Sequence, residues 1–262
     1  MLRAMCLVSL QDRGYKPLGH RSYGHIGHIP GSRVGAGDHH ITEGQARICC
    51  EKTRDKHDRV IVQVKYDGAN VGAALLPSGE LVALQRAGYL ATSSPFEHLH
   101  VWARWVALHE DRFRAVLEPG ERLCGEWLAL AHGTRYDLAG SGMEPFVAFD
   151  LMRGQVRETY EQLAARVGTT FRTPLVVAHG PTPIASVLDL LCEHGPRDGR
   201  PGVGGEIDPI EGAVWRVERH IPGKPASVDF LAKYVRPGKI DGGLLPEISG
   251  VECWQWRPDV TP

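Results

Sequence analysis

"VIVQVKYDGANVG", residues 60–72, begins as a strand and ends on charge. Val60, Ile61, Val62 and Val64 form a β-branched run of the kind that packs in a sheet. Lys65 and Asp67 follow with Gly68 beside them, and a second apolar run starts at Val71. Two readings compete for this junction. In one, Asp67-Gly68 is a hairpin turn and Lys65 is its solvated flank. In the other, Lys65 is a nucleophile presented at a strand end, next to a carboxylate.

Working outward, strands are expected at 60–65, 70–76 and 81–86, joined by tight turns such as "PSGE". The segment "SPFEHLHVWARWVALHEDRFRAVL" places Leu99, Trp102, Val106, Phe113 and Leu117 at helical spacing, with Ser94 before Pro95 as N-cap. "ERLCGEWLAL", "PFVAFDLM", "IEGAVWRVE" and "VDFLAKYV" read as further strands, and "RETYEQLAARVG" and "TPIASVLDLLCEHG" as helices ending near a glycine. Strand runs broken by helices predict an α+β fold with antiparallel sheets rather than a βαβ series. Residues 1–58 show little periodicity. They read as an irregular basic, histidine-rich segment packed on the core, with one short helix around "TEGQARICCEKTRDK". Residues 59–262 read as the main domain.

With 262 residues, 42% hydrophobic and 23% charged, the chain has the makeup of a soluble globular protein. No apolar run approaches the roughly 20 residues of a membrane span, and "MLRAMCLVSLQDRG" is too weakly apolar for a signal peptide. A cytoplasmic location is the expectation. The six cysteines form no C-x-x-C pair, which favours reduced thiols. The thirteen histidines lack partner cysteines at zinc-type spacing. A net charge of −1 exerts no global pull on nucleic acid. Locally, residues 1–42 carry Arg3, Arg13, Lys16, Arg21 and Arg33 against Asp12 and Asp38, with five histidines among them. This is either a phosphate-binding patch or a solvated arm.

Downstream pieces decide between the two readings of Lys65. "GEWLALAHGTRY" puts Glu126 on a strand, and "PFVAFD" does the same for Phe146 and Phe149. "EGAVWRV" puts Glu211 just before a glycine and a strand, and "FLAKYVR" ends another strand with Lys233 and Arg236. Taken singly, each is an ordinary solvated strand end. As an ordered set, "KYDGAN", "LQRAG", "CGEW", "FVAFD", "EGAVWRV" and "LAKYVR" resemble the covalent nucleotidyltransferase superfamily of polynucleotide ligases and capping enzymes. Within it the chain is similar to the RNA ligases, particularly the RNA ligase 2-like group, over roughly residues 60–240.

That resemblance implies a nucleotidyltransferase domain (the ATP-grasp-like adenylylation fold of ligases), with antiparallel sheets flanked by helices and no C-terminal OB-fold. It implies that Lys65 attacks the α-phosphorus of ATP and carries AMP, with its pKa lowered by desolvation or a neighbouring cation. Gly68 keeps the loop tight, Asn70 sits near phosphate and metal water, and Asp67 is a further candidate for the site. Arg86 reaches the ribose or the phosphate of the incoming strand, Glu126 accepts from the ribose hydroxyls, and Phe149 stacks on adenine. Glu211 holds Mg2+ or Mn2+, and Lys233 offsets charge on the α-phosphate. The implied partner is RNA with 5′-phosphate and 3′-hydroxyl ends, sealed through lysyl-AMP and an adenylylated end.

The chain departs from this pattern at its last motif, where the family usually carries K-x-K. Here Val235 stands where a second lysine is expected, leaving Arg236 or Lys239 as substitutes, and strand alternation turns Arg236 to the opposite face. Phe146 is the rival stacking ring, with Phe149 favoured because it directly precedes Asp150, as in the family. The stretch after Lys233 is too short for an OB-fold, which argues against a DNA-nick ligase or a GTP-using capping-type transferase. A catalytically inactive binding relative is the remaining alternative.

Overall fold

The junction after Lys65 is not a hairpin. Strand β2 (Asp58–Lys65) pairs with β8 (Val176–His179) and β9 (Gly212–Arg219), whereas β3 (Ala69–Leu75) pairs with β4 (Leu81–Gln85) and β5 (Glu121–Trp127). Residues 66–68 therefore carry the chain from one sheet to another. The computed structural model describes residues 14–257, so Arg3, Cys6, Asp12 and Arg13 lie outside the described residues.

The first sheet has the order β1-β10-β9-β2-β8, with β1 at Gly27–His28 and β10 at Ser227–Val235. The second runs β4-β3-β5-β6-β7, with β6 at Phe146–Arg153 and β7 at Val156–Arg157. Every pairing is antiparallel except β1 with β10, which is parallel. Both sheets and seven α-helices make a mixed α+β architecture among the described residues. Strand β1 is too short to show any pattern in the sequence. It nonetheless stitches the first segment into the sheet: the Ile29 N–H donates to the Lys233 carbonyl at 2.9 Å.

Local chemistry sets the helix ends. Helix α1 (Glu43–Cys50) starts from a capping box in which Thr42 and Gln45 bond each other's backbone N–H, and it ends well before Lys56. The long helix expected over 94–117 is two: α2 (Glu97–Leu108) and α3 (Glu110–Val116). They break at His109, whose ring nitrogen and backbone N–H share the Trp105 carbonyl. Ser94 is not the N-cap of α2; Phe96 holds that position, and the Ser94 hydroxyl instead accepts the Phe96 N–H at 3.1 Å. The remaining helices are α4 (Leu138–Ser141), α5 (Tyr160–Val167), α6 (Ile184–His194) and α7 (Pro246–Ser249). None is long and apolar enough to cross a membrane.

Behind the second sheet, Trp102, Trp105, Phe113, Trp127, Phe146 and Phe171 interlock as one aromatic cluster. Around the first sheet, Val60, Val62, Val64 and Trp215 pack with Ile48 and Cys49 of α1 and with Val187 and Leu191 of α6. Cys49, Cys50, Cys124, Cys192 and Cys253 are free thiols. With each sheet anchored in its own core, the crossover at 66–68 is held between two rigid walls.

Candidate active site

A cavity of about 440 Å³ opens where the two sheets meet, and Lys65, Asp67, Asn70, Arg86, Glu126, Phe149, Glu211 and Lys233 all line it. Strand register brings them there. Lys65 lies opposite Gly212 across β2 and β9, which sets the preceding Glu211 beside it, and Asn70 lies opposite Glu126 across β3 and β5. Leu231, Lys233 and Val235 share the cavity-facing side of β10. Two glycines permit the approach. A Cβ on Gly212 would collide with the Tyr234 carbonyl oxygen, and one on Gly68 with that of Trp127. Bare of side chain, Gly68 donates its N–H to Glu126 Oε1 at 3.0 Å.

Lys65 Nζ donates to Glu211 Oε2 at 2.6 Å. Burial favours a neutral amine, yet the carboxylates of Glu211, Glu126 and Asp67 together outweigh it and raise the lysine pKa. The sequence-based expectation of a lowered pKa is thus corrected: the surrounding carboxylates hold Lys65 above its ordinary value. Glu126 bears the cost of this crowding. Burial pushes its carboxyl up to about 8, against the pull of Lys65. Burial also raises Glu211, opposed by Lys65. For Lys233 the direction reverses, because burial and then the Lys65 charge lower it, while Asp38 opposes at 3.5 Å.

Two residues named from the sequence are elsewhere. Phe146 is fully buried in the aromatic cluster and does not reach the cavity. Arg236 follows the end of β10 and is absent from the cavity lining. Lys239, the other stand-in for the missing lysine, is 2% exposed and pairs with Asp67 while donating to Thr134 Oγ1 at 2.8 Å. It therefore braces the carboxylate two residues after Lys65 from behind the cavity wall.

Several lining residues carry no periodicity in the sequence and lie outside the set of site residues read from it. Tyr23, His28 and Asp38 bring the first segment into the cavity wall, with His28 Nε2 at 3.1 Å from Asp38 and Nδ1 at 2.7 Å from Ser32 Oγ. Tyr23 meets Phe149 edge-on, with ring centroids 5.0 Å apart. It also donates to Asp150 Oδ2 at 2.5 Å, where Arg157 and Arg216 pair with the same carboxylate. The isolated "GHIGHIPGSR" and the Asp after Phe149 were the available hints.

A model of the RNA ligase family matches residues 58–235, well over half the chain. The chain belongs to the RNA ligase family. Curated proteins yield no match. Among solved structures, it is similar to an archaeal ATP-dependent RNA ligase at 24% identity and TM-score 0.46, covering 68% of this chain and 42% of that one. A Naegleria gruberi RNA ligase mutant with ATP and Mn shows 13% identity and TM-score 0.47, covering 80% and 59%. A mutant of the same ligase with AMP and Mn shows 12% identity and TM-score 0.47, covering 82% and 60%. The chain thus spans 42% to 60% of the lengths of these three structures.

For a divalent cation, the side chains on offer are of the right kind. Glu211 supplies a carboxylate, and Asn70 Oδ1 is buried with no hydrogen-bond partner. No group of three or more His, Cys, Asp or Glu able to hold a metal occurs among the described residues. A carboxylate and an amide oxygen are hard oxygen donors of the kind that divalent cations such as Mg2+ take.

Proposed function

We propose that this RNA ligase family member uses ATP to charge Lys65 with AMP, passes the AMP to an RNA 5′-phosphate, and joins that end to a 3′-hydroxyl. One observation carries the reading: a lysine, three carboxylates, a stackable ring and a second lysine converge on one cavity at a sheet-to-sheet crossover. The Lys65 amine attacks the α-phosphorus, a P–N bond forms, the bond to the bridging oxygen breaks, and pyrophosphate leaves. Glu211, 2.6 Å from Nζ, is within reach of the proton that the ammonium must release. A 5′-phosphate oxygen next displaces the amine to give an adenylylated end. The 3′-hydroxyl then attacks that end and expels AMP.

The remaining side chains have roles that follow from their chemistry. Phe149 offers a face to adenine, held upright by Tyr23, with stacking worth about 1–3 kcal/mol in comparable base contacts. Glu126, where it carries a proton, both donates and accepts, as suits paired ribose hydroxyls. Lys233 sets a cation beside the reacting phosphate, a role for which one lost donor costs about 2.7–4 kcal/mol. Bound Mg2+, held by Glu211 and Asn70, would offset phosphate charge. Incubating the protein with each α-labelled nucleoside triphosphate and a divalent cation tests the reading: label that survives denaturation and alkali, and is released by hot acid as a lysine phosphoramidate requires, is expected from ATP alone. Label from GTP would instead assign a capping-type transferase, and none from any would exclude covalent transfer.

A further inference from the structure

Beside the catalytic cavity lies a second cleft of about 360 Å³, sharing Tyr23, Ala69, Asn70 and Arg86 with it. Its floor is the first segment. The Tyr23 N–H donates to the Arg86 carbonyl at 3.1 Å, and the Arg86 guanidinium returns a bond to the Gly24 carbonyl at 3.2 Å. Arg21 reaches across to His25 Nε2 at 3.1 Å. Accepting that bond leaves His25 without a proton on Nε2, and the nearby Arg86, followed by burial and Arg21, lowers its pKa. The fixed cations are thus Arg21 and Arg86. No carboxylate lines the cleft among the described residues.

The opposite wall is aromatic. Phe96, at the start of α2, is 48% exposed although it is large and apolar. Its ring lies nearly parallel to that of His98, at 5.8 Å and 25°. His98 in turn meets His132 of the catalytic cavity at 5.6 Å. Burial, and then His132, holds His98 near pKa 4, so it supports Phe96 as a neutral ring. Two exposed arginines with no acid beside them favour a phosphate, and an exposed ring one step away favours a base. A protein partner rich in carboxylates would use the arginines and leave Phe96 idle.

We propose that Arg21 and Phe96 of this cleft extend the strand contact that the family resemblance already implies for Arg86: Arg21 joins it on the phosphate of the first nucleotide of the 5′-phosphorylated RNA strand, and Phe96 stacks on that nucleotide's base. The proposal rests on the ligase reading above and names which of the two strands is held here. A 3′-hydroxyl end brings no terminal phosphate to neutralise, whereas the 5′ end must carry its phosphate to the edge of the Lys65 cavity. Arg86 stands on that shared edge.

The experiment is fluorescence anisotropy with a short labelled oligoribonucleotide bearing either a 5′-phosphate or a 5′-hydroxyl, run beside enzyme–AMP formation. The expected wild-type result is tighter binding of the phosphorylated strand. Arg21→Ala should erase that preference and lower the salt slope by about one. Phe96→Leu should weaken binding roughly 10-fold, the loss that stacking carries, while Phe96→Trp retains it. All three variants should form enzyme–AMP within about twofold of wild type, showing that the fold and the cavity are intact. Unchanged RNA affinity in both Arg21→Ala and Phe96→Leu would overturn the proposal, as would equal weakening of the two strands by Arg21→Ala. Absence of enzyme–AMP in the wild type, with the strand preference present, would fault the ligase chemistry and leave the cleft assignment standing.

Discussion

Two buried polar clusters stand on the walls of the same cavity, and they are built on opposite terms. Around Asp150 the carboxylate is fully buried and receives Tyr23, Arg157 and Arg216, while Arg216 also donates to the Phe149 carbonyl at 3.0 Å. The carboxylate meets opposite charge from two guanidiniums, and Arg216 Nε is the one polar side-chain atom of these four residues left buried without a hydrogen-bond partner. Around Lys65, three carboxylates crowd one ammonium, Glu126 is driven up to about 8, and Asn70 Oδ1 is buried without a partner. A closed cluster holds a shape, whereas an open one is completed only when something binds. The difference separates the residue that aims Phe149 from the residues to which the proposed chemistry is assigned.

The contrast fails if the Asp150 cluster proves dispensable. Asp150→Ala leaves Arg216 buried and unpaired, so it should destabilise the protein by about 3–5 kcal/mol in denaturant unfolding. A loss below about 1 kcal/mol would mean that water or Glu218 takes over the arginine. Next in size is Lys233→Ala, which should slow enzyme–AMP formation by roughly 100-fold or more at saturating ATP and leave the unfolding midpoint nearly unchanged. An equal loss of stability would move Lys233 from the open cluster to the closed kind.

Glu126 sharpens the comparison through pH. Its carboxyl titrates near 4.3 in an unfolded chain and near 8 in the fold. Between those values the folded state holds a proton that the unfolded state has released. Its contribution to stability is therefore fully present below about 4.3 and is lost as pH rises through about 8. Glu126→Gln cannot lose it, so the variant should gain on wild type as pH goes from about 5 to about 8. Thermal unfolding at the two values checks this, and a constant difference would contradict it. Smallest is Arg236→Ala, expected to change enzyme–AMP formation by no more than about twofold because Arg236 does not line the cavity.

Much of the frame is legible in the sequence, for physical reasons. A β-branched run marks β2, and the anchors around Lys65, Glu126, Phe149, Glu211 and Lys233 lie on or beside apolar strand runs of the same kind. The first segment is not legible in this way. Its residues 23, 28 and 38 reach the cavity through turns and a two-residue strand, which leave no periodicity to read. Strand β8 escapes for a similar reason, with three half-buried residues and the exposed His179 making up its whole length. Lys65's raised pKa is equally hidden, since it depends on carboxylates from positions 67, 126 and 211 meeting in space. Lys239 shows how a count of charges misleads: its ammonium is spent on Asp67 and does not replace a second lysine on β10.

Everything in the functional reading depends on Lys65 becoming covalently charged. The direct measurement is peptide mapping by mass spectrometry after incubation with ATP and Mg2+, in wild type and in Lys65→Ala. AMP on the peptide containing Lys65, with none anywhere on the folded alanine variant, is the predicted result. AMP attached to another lysine, or labelling that persists at wild-type stoichiometry in Lys65→Ala, would contradict it.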